Sequence, residues 1–226
     1  LKAKGLFPDK DDDDEDDYCF GDDDFPCDQV EEPASTPGWP IPPVDVSKYH
    51  EGKTKKVAKE GGKKGSEIAG AADMGGIEFF TTTCETPDGD TTLLELVMQE
   101  MNVPVDPTAE ETKGGSGHVG KMILSASDKQ LALVAYVPQE KAESLSAITW
   151  MEEMIKSFGG YGEIQDGSTQ YKAIAIAKQD GEKGKYPLKL RDEAIGASIA
   201  FLKAKGLFPD KDDDDEDDYC FGDDDF

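Results

Sequence analysis

Two histidines, His50 and His118, and four cysteines, Cys19, Cys27, Cys84 and Cys220, are all that the chain offers a zinc ion. No two cysteines form a CxxC pair, and neither histidine stands at ligand spacing from a cysteine, which argues against a zinc site. No apolar run reaches 18 residues, so no membrane span is expected. Positive charge is scarce as well: 24 Lys and Arg against 50 Asp and Glu leave a net charge of −26 over 226 residues. Binding a phosphate backbone needs clustered cations that release counterions, so nucleic acid is a disfavoured partner. No signal peptide is found in the chain, and no catalytic motif announces itself.

What the chain does have is an identical repeat. Leu1–Phe25, LKAKGLFPDKDDDDEDDYCFGDDDF, returns unchanged as Leu202–Phe226. Composition alone cannot produce such self-similarity, and it predicts a tandem polyprotein: the tail of one unit followed by one whole unit, Pro26–Phe226. Lys189–Lys205 reads as a helix with Leu190, Ala194, Ile195, Ser198, Ile199 and Leu202 on one stripe, stopping at Gly206 before Pro209. Leu1–Lys4 would then be the last turn of an equivalent helix, and with the initiator Met absent, Leu1 is read as a cut in a longer polymer. Cys19 and Cys220 are equivalent, so each unit owns three cysteines. This odd number favours reduced thiols, with a Cys19–Cys27 or inter-unit disulfide as the oxidised alternative.

Each copy of the repeat carries −8, so Pro26–Phe201 keeps only −10. The acidic run is interrupted by aromatics, which a merely solubilising tail does not need and a docking segment uses as anchors. Leu6, Phe7, Tyr18, Phe20 and Phe25, with their equivalents Leu207, Phe208, Tyr219, Phe221 and Phe226, are the candidate anchors. The carboxylates Asp11, Asp12, Asp13, Asp14, Glu15, Asp16, Asp17, Asp22, Asp23 and Asp24 could collect Ca²⁺ weakly and multiply. They form no EF-hand, because Tyr18 would fall at the third ligand position. No other cofactor is expected. Residues 26–67 follow as a proline-rich connector around Trp39 and then a lysine-rich segment. Lys48, Lys53, Lys55, Lys56, Lys59, Lys63 and Lys64 against Glu51 and Glu60 give Lys48–Lys64 a local charge of +5. This basic island complements the acidic tail; with Gly52, Gly61, Gly62 and Gly65 it also reads as a mobile glycine-rich loop.

Residues 68–208 are expected to be an α+β domain. Gly76–Cys84, Lys121–Ser127, Gln130–Val137 and Tyr171–Lys178 read as strands. Helices are predicted from a Thr92 to Glu95 capping box to Met101, and from Ser144 or Ser146 to Gly159-Gly160. The order β-α-β-β-α-β is that of a ferredoxin-like sandwich with an added C-terminal helix, its helices on one sheet face and the other face open for docking. Gly115-Ser-Gly-His-Val-Gly120 matches G-x-G-x-x-G but opens a strand rather than a helix, so it is not read as a dinucleotide loop. Cys84 and His118 lack a third residue to orient them as nucleophile and base.

Two resemblances accompany these readings. KMILSASDKQLALVAYVP and LSAITWMEEMIKSFGGYG, within Lys121–Gly162, resemble the C-terminal domain of alanyl-tRNA synthetases, where a hairpin, a helix and a glycine turn help hold the tRNA elbow. The further Gly-Gly-Arg part of that pattern is absent; the resemblance implies RNA binding as the alternative function. The tandem organisation with Asp-rich, aromatic-spaced tails resembles the tandem structural polyproteins of protists, and implies a secretory crystal or extrusome matrix such as a trichocyst, with the cytoplasm as the other compartment. The expected function is a non-enzymatic repeat unit that binds identical units head to tail, the tail of one docking on another.

Overall fold

The computed structural model describes residues 43–108, 111–179 and 186–208. Helix α1 (Glu51–Gly75) leads to strand β1 (Phe79–Thr83), helix α2 (Thr91–Asn102), and the strands β2 (Gly120–Ala126) and β3 (Gln130–Tyr136). Helix α3 (Ala147–Ser157), the short strand β4 (Glu163–Ile164), strand β5 (Lys172–Lys178) and helix α4 (Pro187–Ala204) complete the order. The result is an α+β fold around one five-stranded mixed sheet.

The strands lie in the order β1-β2-β3-β5-β4, with β1 and β2 parallel and the remaining pairs antiparallel. This is not the expected ferredoxin-like order. In a split βαβ arrangement the two strands joined by the crossover helix are separated by another strand; here β1 and β2, joined through α2, are direct neighbours. The register Phe79↔Gly120 through Thr83↔Leu124 leaves no room between them.

The expected open sheet face is also absent, and the strands themselves show why. MIL in β2 and LALVAY in β3 are apolar on both sides of the pleat and are buried throughout. Such strands must be covered twice. One face, carrying Met122, Leu124, Leu131, Leu133 and Ala135, packs with Trp150, Met151 and Met154 of α3 and Leu190, Ala194 and Leu202 of α4. The other, carrying Ile123, Ala132, Val134, Tyr136 and Ile174, packs with Leu93, Val97 and Met101 of α2, joined by Val57, Ile68 and Ala72 of α1. Ala173, Ala175 and Ala177 of β5 lie in the α3/α4 core, which puts the alanine alternation under helices as its spacing implied.

Local chemistry sets the ends of the elements. Asp90, rather than a Thr92 capping box, starts α2: its Oδ1 accepts from the Thr92 and Leu93 amides at 2.9 and 3.1 Å. Tyr49 donates its hydroxyl to the same carboxylate at 2.7 Å, fixing the approach to α1. Ser146 caps α3 by accepting from the Thr149 amide at 3.2 Å. Pro187 opens α4, where a missing N–H costs nothing.

The lysine-rich segment is the largest departure from the sequence reading. Most of it is not a loop but the first half of α1, a helix of 25 residues that starts on His50, whose Nδ1 accepts from the Gly52 amide, and ends at Gly76 in the left-handed region. Val57 is fully buried with the α2 residues, so the folded body takes in residues well upstream of Ile68.

Candidate docking face on the first helix

The site follows from how α1 meets α2. A Cβ on Gly61 would stand 2.8 Å from Val97 O, and one on Gly65 would stand 2.8 Å from both Cα and O of Met101. Only glycine lets the two helices approach this closely. Glu60 adds a tie by accepting from the amides of Glu85 and Thr86, each at 3.1 Å, and from the Thr86 hydroxyl. With Val57 and the glycines turned inward, the first half leaves a row of lysines facing outward. Lys55, Lys59 and Lys63, spaced by four, form a row at helical pitch with Lys56 beside it, and all four are exposed.

Lys53 is also exposed on α1, Lys64 is half-buried, and Lys48 is exposed in the turn before the helix. The structure thus gathers the lysines singled out from sequence on and beside one element. Lys55 pairs with Glu51 at 2.5 Å and Lys63 with Glu67 at 3.8 Å, both at the surface, where such pairs contribute little. A further cation was not read from sequence. Lys113 comes from the loop after α2, its side chain lying over Gly62, and the Gly114 amide donates to Gly62 O at 2.9 Å. The signal that could have found this arrangement was the glycine pair 61 and 65 at helical spacing, set against lysines at 55, 59 and 63.

The candidate anchors divide. Leu207 and Phe208 pack on the α3/α4 core of their own domain. Gly206 turns the chain with φ 68°, the Leu207 amide donates to Leu202 O at 2.9 Å, and Lys203 lies 5.6 Å from the Phe208 ring centre. These residues form the hydrophobic close of a helix C-terminus. Leu6, Phe7, Tyr18, Phe20, Phe25, Tyr219, Phe221 and Phe226 lie outside the described residues, as do all the candidate calcium carboxylates from Asp11 to Asp24. Among the described residues no group of His, Cys, Asp and Glu gathers that could hold a metal ion, and no helix is long and apolar enough to cross a membrane.

Cys84 is buried at the end of β1, and burial, with Glu60 nearby, pushes its thiol up to about 12. Such a thiol is not a nucleophile at neutral pH. His118 is elsewhere, its Nε2 3.8 Å from Asp73. The Gly115–Gly120 loop encloses Lys121, a fully buried lysine. Its ammonium donates to Asn102 Oδ1 at 2.6 Å, to Val119 O at 3.3 Å and to Ser116 O, and stands 5.2 Å from the Tyr136 ring centre. Three oxygens meet three donors, although burial, with Lys141 adding to it, holds the pKa well below the usual lysine range. A cleft of about 460 Å³ at the β4/β5 edge is lined by Tyr161, Glu163, Gln165 and Lys178 among others, with no buried acid–base pair.

No protein-family model matches the chain, and no curated protein matches it.

Proposed function

We propose that the chain is a non-enzymatic structural unit of a tandem polyprotein, which assembles head to tail when the acidic, aromatic tail of one copy docks on the lysine face of α1 of another. The observation that carries this reading is the outward row Lys55, Lys59 and Lys63, held on a glycine-packed helix, set against a tail whose residues 209–226 hold eleven acids and one lysine. The surface pairs of Lys55 with Glu51 and Lys63 with Glu67 are weak, so an acidic ligand can compete for these lysines, and the chain supplies one. The same patch on every copy meets a different patch on the next, the heterologous contact that propagates into filaments. An extrusome matrix, where such proteins are stored condensed, is a fitting compartment. Calcium is the natural regulator of such a contact, because it would neutralise the tail carboxylates and compete with the lysines.

The test is sedimentation velocity and electron microscopy of the full chain across salt concentration, beside Lys55→Glu/Lys59→Glu/Lys63→Glu. Assembly at low salt that dissolves near physiological strength, where the Debye length is about 8 Å, and that is lost in the variant, supports the reading. Monomers at every salt would overturn it. A tRNA retained by the full chain and released by the same variant would put the RNA-binding alternative in its place.

A further inference from the structure

The lysine row is only half of the strip along α1. The loop after α2 runs beside the helix: Ser66 Oγ donates to Thr112 O at 2.8 Å, and the Gly115 amide donates to Val103 O at 2.7 Å. A Cβ on Gly115 would touch both Val105 Cγ2, at 2.7 Å, and Ala69 Cβ, at 3.7 Å. Val103 and Val105 therefore flank the second half of α1, 40% and 46% exposed, and Met74 stands out near the helix end at 88%. The strip begins with lysines and finishes with exposed apolar side chains, Met74 on the helix and Val103 and Val105 on the loop along its other border.

The tail has the same order. Asp212–Asp218 is acidic throughout, and Tyr219 and Phe221 follow. We infer that the tail of a second copy docks parallel to α1, Asp212–Asp218 over Lys55, Lys59, Lys63 and Lys113, with Tyr219 and Phe221 on Met74, Val103 and Val105. This inference rests on the tail-docking reading and adds the anchor site and the direction. The spans agree: Lys59 to Met74 is about 22 Å along a helix, and Asp215 to Phe221 is about 20 Å in an extended chain. Charge fixes the direction. A reversed tail would lay its acids on Glu67, Asp73 and the negative end of the helix dipole, whereas the parallel one puts them toward the positive end.

Chain length selects a second copy over the tail's own domain. Leu207 and Phe208 root the tail on the α3/α4 side, and α1 belongs to the core on the other face of the sheet. Rounding a sheet edge between layers about 10 Å apart takes a path of at least about 30 Å, or about nine extended residues. Asp212–Asp217 would be spent on that path, leaving too few acids ahead of Tyr219 and Phe221 to cover the lysines.

The experiment uses the full chain with p-benzoylphenylalanine in place of Phe221, prepared in ordinary and ¹⁵N-labelled forms, mixed at low salt and irradiated. The expected product is a heavy–light cross-link to the tryptic peptide Gly65–Lys113, placed at Met74 or at Val103–Val105. Met74→Asp/Val105→Asp should lower its yield about tenfold, the loss of an anchor, while carbodiimide links between Asp212–Asp218 and Lys55–Lys63 remain. Capture near Lys53–Lys64, or within one chain, overturns the anchor site or the second copy, and if the carbodiimide links persist between chains the docking reading stands without it. No links of either kind overturn both.

Discussion

On the α3/α4 side of the sheet the core is made of large side chains; on the other side α1 approaches α2 through bare backbone. Trp150 is fully buried, its ring edge-on to Phe79 at 5.7 Å, and its Nε1 donates to Ser198 Oγ at 3.0 Å. Ser198 in turn bonds Thr81 Oγ1 at 2.7 Å, so one hydroxyl links α3, α4 and β1. On the α1 side the corresponding contacts are those of Gly61 and Gly65 against Val97, Met101 and Gly114. The first interface is specified by volume and the second by its absence. They should therefore fail in opposite ways, one by emptying and the other by filling.

Emptying has the larger expected effect. Trp150→Ala removes the largest fully buried side chain among the described residues and should cost about 4 kcal/mol, read as a shift of the urea midpoint at unchanged slope. A loss below about 1 kcal/mol would mean that this core can collapse, and the contrast would disappear. Filling comes next. Gly65→Val would drive a Cβ into Met101 and Gly114 backbone atoms, each 2.8 Å away, and should cost about 3 kcal/mol. Gly62→Ala meets only the flexible side chain of Lys113, nearest at 3.3 Å, so the helix preference for alanine should offset that contact and the variant should be neutral or up to about 1 kcal/mol more stable. Equal effects at the two positions would break the claim that backbone contact, not helix propensity, sets the α1 interface.

Lys121 sharpens the comparison from the inside of the α1/α2 half. Its pKa is lowered on folding, so the unfolded chain holds the proton more tightly than the folded one. Stability from this group accordingly rises with pH from the depressed folded value up to about 10.4 and falls as pH drops through that window. The slope is at most about 1.4 kcal/mol per pH unit. Lys121→Met keeps most of the volume and removes the proton, so chemical unfolding from pH 7 to 10 should show that slope reduced. An unchanged slope would show that the three oxygens restore the ordinary lysine pKa.

The same contrast explains what could be read from the sequence. Strands with β-branched or alternating apolar residues, and helices with an apolar stripe such as Leu93, Val97 and Met101, were legible because side-chain volume is written in residue type. Helix α1 was not. GGKKG spells loop by propensity, and with Gly61 and Gly65 standing between Val57 and Ile68 the apolar stripe of the helix is broken in its middle. The strand order was illegible for a different reason: β-α-β-β-α-β fixes succession but not neighbours, and the choice between inserting a strand and pairing β1 directly with β2 depends on long-range packing. Lys121 leads an apolar strand, and its burial comes from a loop that closes over it. The lysines of the α1 face were found by composition, yet their spacing as a row needed the helix.

The smallest effect tests the helix itself. Gly70 lies inside α1 and a Cβ there would meet nothing within 4 Å. Gly70→Ala adds no contact, so any change comes from the backbone. In a helix interior alanine is favoured over glycine by about 0.8–1.0 kcal/mol, partly through the smaller freedom of the unfolded chain. The variant should therefore gain up to about 1 kcal/mol in urea unfolding, with far-UV circular dichroism unchanged or slightly more helical. If residues 51–75 were instead a glycine-rich loop, the substitution would be neutral or harmful. Because the change is remote from the α2 contacts, the gain should add to the loss in Gly65→Val rather than rescue it. A double variant as stable as the wild type would show that the two positions are coupled and that the change at Gly70 relieves the clash at Gly65.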